Sequence, residues 1–473
     1  MKKQLGRIIQ NISYAVLSNG VIMLSSTLVS FFVPLFYSVS LYGYLQLYLF
    51  YSSYLGLFNI GWLEGIYLRI GGISYESVDV PLYKAQYRIF RAYVFGTSII
   101  CCILTFLFVS DDMRRIIFFG VSICILPYVL TNYWNNFLLS TGRMKEYARN
   151  CFCDRIIFLI IVGIMIVSGY NDLRGIILAD ITGKTMAFIS ARIACKNIYS
   201  KDVEKADWKF VFSEIWANIC CGIKLLVANL SSMFILGSIR MGIEYAWSIE
   251  VYSQMSLTLS VSNMLLGFIT AVSQVIYTTA RKVAGNKLAD TYKILRKVIV
   301  VMLLGFMLAY YPVKELLIML LPKYEYGLRY MAILLPMCVI ECKWSFLTLT
   351  FLKVIREEKN ILKVNIFSVL LSMMLTVIAA FIMQNLLLTV CIVILVLFIR
   401  GTLGEKVLMD RMECNLKKDI LKEAAVILSF IVISWNIDSW LCLILYAAVY
   451  IIYLLTEWKE LKGIWANVKL MYH

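Results

Sequence analysis

The 473-residue sequence has one histidine, and it is the last residue, His473. This rules out imidazole acid–base chemistry and the usual histidine-bearing zinc sites. Proline is scarce, at six residues. Charged residues make up only 16%, whereas a soluble domain carries about 25%. Acid is the rarer sign, with 29 Asp and Glu against 45 Lys and Arg. There is no phosphate-cradling P-loop and no Gly-x-Ser-x-Gly motif. The stretch Gly61 to Gly72 is glycine-rich but lacks the strand and helix that a dinucleotide fingerprint requires. Thirteen cysteines lie mostly inside apolar runs and read as small apolar side chains, not a disulfide framework. Cys151 and Cys153 have no second pair at zinc spacing, so neither a metal nor another cofactor is expected.

What the chain does have is apolar length. It is 61% hydrophobic, with a mean hydropathy of +0.80, which is the composition of a polytopic membrane protein. We expect an all-α fold of about fourteen transmembrane helices. The expected spans run roughly over 12–33, 41–63, 93–109, 116–139, 156–170, 175–194, a hairpin within 216–279, 298–313, 328–352, 364–383, 386–402, 424–435 and 439–455. Met1 to Gln10 is a short basic lead, and the run after it is long enough to span, so no cleavable signal peptide is expected.

With these spans, thirty-five of the Lys and Arg residues fall on one side and seven on the other. Short basic loops stay in the cytoplasm, which puts both termini inside the inner (cytoplasmic) membrane. The +16 formal charge is then explained by orientation and anionic lipid, and nucleic-acid binding is not needed. The most polar connection follows six spans. The chain therefore divides into a six-helix bundle over 1–194, a linker over 195–215, a second six-helix bundle over 216–402, and a last helix pair with a cytoplasmic tail over 403–473.

The hairpin from Trp216 to Thr279, with its turn expected at Arg240 to Glu244, is the most informative stretch. Its second segment carries Ser253, Ser256, Ser260, Asn263, Gly267, Thr270, Gln274 and Thr278 at steps of three or four, hence on one helix face. A polar stripe on an apolar helix needs protein or water. The structural reading is helix–helix packing; the functional one is the wall of a wet cavity. Asn263 and Gln274 favour the cavity, because an amide in lipid leaves several groups unpaired. Asn229 adds a further amide on the first segment.

Three cations fall well inside spans, away from their ends, Lys184, Lys224 and Lys343, against the acids Asp180 and Glu341. Arg69 stands at the cytoplasmic rim and Arg240 at the outer one. A basic cavity suits an anion such as phosphate or pyrophosphate. The alternatives are that a lysine snorkels to the headgroups, and that Asp180 and Lys184, at i,i+4, simply neutralise each other. Asp180, Glu64 and Glu250 are the candidates for coupling to an ion or proton gradient.

Several segments resemble a known family. Gly222 to Asn229 with Ser231 and Ser232, then Gly237 to Arg240, Ala246 to Glu250 and Ser256 to Gln274, resemble spans 7 and 8 of Wzx-type bacterial polysaccharide flippases. These belong to the polysaccharide-transport branch of the MOP (MATE-like) superfamily. Gly61-Trp62-Leu63-Glu64-Gly65-Ile66-Tyr67-Leu68-Arg69 with Gly71 and Gly72 resembles the end of span 2 in that group, and Leu316 to Gly327 the segment before span 10. The chain departs from the family pattern at Tyr277 to Ala280, where a proline is expected.

The resemblance implies a V of two six-helix bundles around a cavity that opens alternately to each side. It implies as cargo an undecaprenyl-pyrophosphate-linked oligosaccharide repeat unit, with a glycan polymerase and chain-length proteins as neighbours. Lys224, Lys184, Arg69, Arg240, Lys343, Asn229, Ser256, Ser260, Asn263 and Gln274 would then meet the cargo. A MATE-type ion-coupled small-molecule exporter and a scaffold of a glycan-assembly complex are the alternatives. None of these readings is an enzyme.

Overall fold

The computed structural model describes residues 2–196, 198, 207–262 and 288–471. Every element among the described residues is helical. In chain order these are α1 (Lys2–Phe36), α2 (Val39–Ser53), α3 (Trp62–Arg69), α4 (Val80–Phe108), α5 (Asp112–Ser140), α6 (Met144–Val167), α7 (Leu173–Ala194) and α8 (Trp208–Ala246). They continue with α9 (249–262), α10 (Leu288–Phe306), α11 (Tyr310–Leu320), α12 (Glu325–Arg329), α13 (Met331–Lys343), α14 (Leu349–Val354) and α15 (Glu358–Thr376). The last are α16 (Leu386–Met412), α17 (Lys417–Asn436) and α18 (Trp440–Met471). Among the described residues, nine helical stretches are long and apolar enough to cross a membrane, so the chain is a multi-pass membrane protein.

Local chemistry sets the helix ends. Asp79, Asp111 and Asp172 begin α4, α5 and α7, each side chain accepting a bond from a backbone N–H of the first turn. Asn385 does the same for α16. The expected turn at Arg240 to Glu244 lies inside α8, which runs on to Ala246. The chain turns at Trp247 and Ser248 instead.

The chain forms two compact units, Met1–Leu230 and Ser231–His473, and α8 begins in the first and ends in the second. The first unit packs around an aromatic core. Trp134 meets Tyr87 at 4.6 Å and Tyr133 at 5.1 Å, and Phe90 meets Trp62 at 5.1 Å. Near this core α2 gives way to a tight 3-10 turn. Ile60 and Gly61 there take left-handed φ angles of 48° and 81°, and α3 starts a new direction. The core of the second unit is built on Tyr292, Leu347, Phe351, Leu352 and Leu408, all at most 1% exposed.

Several helices run beyond the expected spans. α6 starts at Met144, the α10–α11 stretch covers Leu288–Leu320, and α16 runs to Met412. The expected loop over 403–422 is thereby reduced to a short turn between Met412 and Lys417. In α10 and α16 the added turns carry buried charges, Arg296, Lys297 and Glu405, which lower the hydropathy of a stretch that is nonetheless packed inside the unit.

Candidate substrate-binding and coupling groups

In the first unit, α3 and the N-terminal half of α8 meet backbone to backbone. A methyl group on Gly61 would lie 2.6 Å from the Ile223 nitrogen, and one on Gly65 or Gly222 would overlap the facing main chain outright. Gly61 and Gly65 are one helical turn apart, the small-xxx-small spacing that lets helices approach closely in a membrane. This contact brings polar groups into register. Arg69 pairs with Glu214 Oε2 at 2.8 Å and donates to Asn218 Oδ1 at 2.7 Å. Asn218 and Trp62 both donate to Gln86 Oε1, each at 3.1 Å. Arg69 is therefore held at the end of α3 by partners from α8. Glu64, on the same short helix, has a buried carboxylate oxygen, Oε2, with no partner.

Lys224 and Asn229 are both exposed on α8. Lys224 lies ten residues beyond Glu214, about 15 Å along the helix axis. It is two residues past Gly222, roughly 200° round the helix, and so projects from the face opposite the α3 contact. It makes no ion pair or hydrogen bond with the described residues. Asn229 falls close to the face of Asn218 and Gly222, so Lys224 and Asn229 do not share one side of the helix.

Asp180 and Lys184 are paired on α7, and both are buried. The Tyr48 hydroxyl, deep in α2, donates to the same Asp180 oxygen at 2.6 Å. The other oxygen of Asp180 has no partner. Lys184 also borders a cavity of about 310 Å³ lined by Asn132, Asn135, Asn150, Asp154 and Arg155. Arg155 Nε lies 3.5 Å from Asp154 Oδ2, and neither that Nε nor the other Asp154 oxygen has a hydrogen-bond partner. Arg155 and Lys184 balance Asp154 and Asp180, so the region is polar but neutral.

The second unit treats its charges differently. Lys343 is 1% exposed and lies 3.2 Å from Glu405 and 2.8 Å from Glu423. Arg296 reaches the same two carboxylates at 2.6 and 2.9 Å, and Tyr292 donates to Glu405. Two cations meet two anions from four helices, α10, α13, α16 and α17. Next to them Lys297 pairs with Glu457 and Glu460 on α18, and Lys422 with Glu457. Glu341 pairs with Arg400 at 2.6 Å, and that guanidinium sits 4.5 Å over the Trp344 ring.

The expected excess of buried cations is thus corrected: Glu405 and Glu423, read as loop residues in the sequence, neutralise Lys343 and Arg296. Helical period was the missed signal. Glu423 shares a buried face with Val426, Ile427, Phe430 and Ser434, and Arg296 with Tyr292, Val300 and Leu304.

Of the remaining candidates, Arg240 is half-buried near the end of α8 and Glu250 is exposed near the start of α9. Ser256 is buried with its hydroxyl unpartnered, and Ser260 is half-buried. The buried face of α9 packs on the α12–α13 region: Thr258 donates to the Gly327 carbonyl at 3.0 Å and Cys338 to that of Ser262 at 2.6 Å. Asn263 and Gln274 lie outside the described residues, as does the rest of the polar row beyond Ser262.

Solved structures share this arrangement of helices. The lipid II flippase MurJ, in an inward closed conformation, matches with a TM-score of 0.67 at 13% identity, over 96% of this chain and 99% of MurJ. The chain has the fold of the MOP-superfamily transporters. An inward-facing multidrug-resistance MATE transporter matches at 0.61 and 14% identity, over 84% of this chain and 94% of its own. A MOP transporter from Pyrococcus furiosus, described by a binding pocket of reversed polarity, matches at 0.50 and 12%, over 86% and 96%. No family model and no curated protein sequence matches the chain.

Proposed function

We propose that the chain is a flippase. It carries undecaprenyl-pyrophosphate-linked oligosaccharide repeat units from the inner to the outer leaflet of the cytoplasmic membrane, by alternating access between two six-helix bundles. The observation that carries this reading is Lys224: an exposed cation without a partner among the described residues, well inside a long apolar helix. Such a group is costly in lipid, and a passing phosphate is the partner its chemistry suits. Arg69 extends the anionic path to the cytoplasmic rim, with Arg240 at the outer one. Ser256, Ser260 and Asn229 offer hydroxyl and amide groups to sugar. The fold shared with a lipid II flippase supports a lipid-borne cargo.

In this reading Lys343 holds the second unit together and does not meet cargo. Asp180 is the best coupling group, because it has an unpartnered carboxylate oxygen and its ion-pair partner, Lys184, borders a polar cavity. Both termini are cytoplasmic, and a glycan polymerase and chain-length proteins are the expected neighbours.

The test is transport of a fluorescent undecaprenyl-pyrophosphate oligosaccharide across proteoliposomes. Lys224→Ala should slow it by about tenfold to a hundredfold, because a hydrogen bond to a charged group is worth about 1.5–3 kcal/mol. Unchanged transport in Lys224→Glu would instead favour a MATE-type exporter, a reading that the likeness to a multidrug transporter keeps in play.

A further inference from the structure

We propose that a depression at one end of the second unit, between Glu325, Tyr326, Arg329, Trp435 and Asn436, is a saccharide-binding subsite; this rests on the glycan-transport reading above. The depression has a volume of about 550 Å³, within the range of about 300–1,000 Å³ typical of small-molecule sites. It is walled by α11, α12 and the last turn of α17, at the end that the Lys and Arg distribution assigns to the outside.

Its composition favours a neutral polar ligand. Lys314 and Arg329 are matched by Glu325 and Asp438, so the site has no net charge to select a phosphate, and the Lys314 ammonium is already bonded to Asp438. What it offers are flat rings and planar polar groups, the pairing that suits a pyranose: its C–H face lies on an aromatic ring and its hydroxyls bond to carboxylates, amides and guanidinium.

The rings are held in place before any ligand arrives. Trp435 lies under the Arg329 guanidinium at 4.8 Å and meets Tyr330 edge-on at 5.4 Å. The Tyr330 hydroxyl lies 3.3 Å from that of Tyr326. Tyr326 itself is 55% exposed and presents its ring to the outside. Asn436 spends its Nδ2 on the Val432 carbonyl of its own helix, which fixes the amide and leaves its oxygen for a ligand. Lipid contact runs alongside through Leu316 and Met319, 56% and 80% exposed. A sugar emerging beside that lipid face would find this depression at the exit.

The experiment uses the full chain in lipid nanodiscs with free neutral disaccharides of hexoses, N-acetylhexosamines and deoxyhexoses, read by saturation-transfer NMR and calorimetry. At least one disaccharide should bind. Tyr326→Ala and Asn436→Ala should each weaken binding about five- to tenfold, and Tyr326→Phe about twofold or less. Both positions are exposed, so unfolding temperatures should hold. Failure of every disaccharide to bind, or binding indifferent to both alanine variants, would overturn the subsite. Because these sugars carry no lipid or phosphate, the result is independent of the flippase reading: binding without lipid-linked transport would refute only that reading, and transport without binding only the subsite.

Discussion

Lys224 and Lys343 carry the same side chain inside apolar helices, one in each compact unit, and meet opposite fates. Lys343 is fully enclosed and shares two carboxylates with Arg296. Lys224 is exposed and has no described partner. The contrast extends to their surroundings. The second unit collects its buried charges into matched clusters that tie α10, α13, α16, α17 and α18 together. Buried atoms without a hydrogen-bond partner occur in both units, at Glu64, Asp154, Arg155 and Asp180 in the first and at Ser256 and Arg400 in the second; the first unit differs in its exposed cation inside an apolar helix. A matched cluster is a fixed fastening; unsatisfied atoms and an exposed cation are what a passing ligand or ion can use.

The sharpest way to break this comparison is to substitute Lys343. Lys343→Ala leaves Glu405 and Glu423 facing Arg296 alone. Removing one member of a buried ion group typically costs about 3–5 kcal/mol, so the thermal unfolding temperature should drop markedly. If instead stability held and only transport fell, Lys343 would belong with Lys224. A comparable but smaller effect is expected at the α3–α8 contact. Gly65→Ala drives a methyl group into the Asn218 carbonyl, and overpacking of this kind costs about 1–3 kcal/mol, again read by thermal unfolding. Unaltered stability there would mean that the two helices separate easily.

Lys224→Ala should show the reverse pattern, with unfolding changed by less than about 0.5 kcal/mol, as for an exposed site, while transport falls. A stability loss matching that of Lys343→Ala would erase the distinction between the two lysines. The smallest effect is expected at Asp438, which is 67% exposed. Asp438→Asn loses its ion pair with Lys314, whose side chain is only 4% exposed, at a cost of about 1 kcal/mol, a benchmark for a pair with one solvated and one buried partner.

Much of the candidate site was legible in the sequence at the level of residue type. Asp180 and Lys184 at i,i+4 form the ion pair that their spacing allows. Tyr48, on α2, donates to the same Asp180, a contact between helices that lie far apart in the chain. Arg69 stands at the end of its short helix, but its partners, Glu214 and Asn218, are about 145 residues away and no local pattern names them. Glu405, Glu423, Arg296 and Arg400 were misplaced for a different reason. Hydropathy averages over a window and scores a charge the same whether water or a carboxylate surrounds it. The helical period of their neighbours, as in Glu423 with Val426 and Phe430, held the correction.

By itself the sequence determined that this is a helical, many-span membrane protein, because apolar length and basic-loop asymmetry are properties of the chain read one segment at a time. It also marked which helices carry polar groups, since period-3.6 spacing is local. Which charges neutralise each other was decided only by the tertiary structure. An ion pair such as Lys343–Glu405 needs two helices brought within about 4 Å, and that distance is set by the packing of the whole unit. The same packing left Lys224 without a partner among the described residues, a fact that no reading of its neighbours along the chain contains.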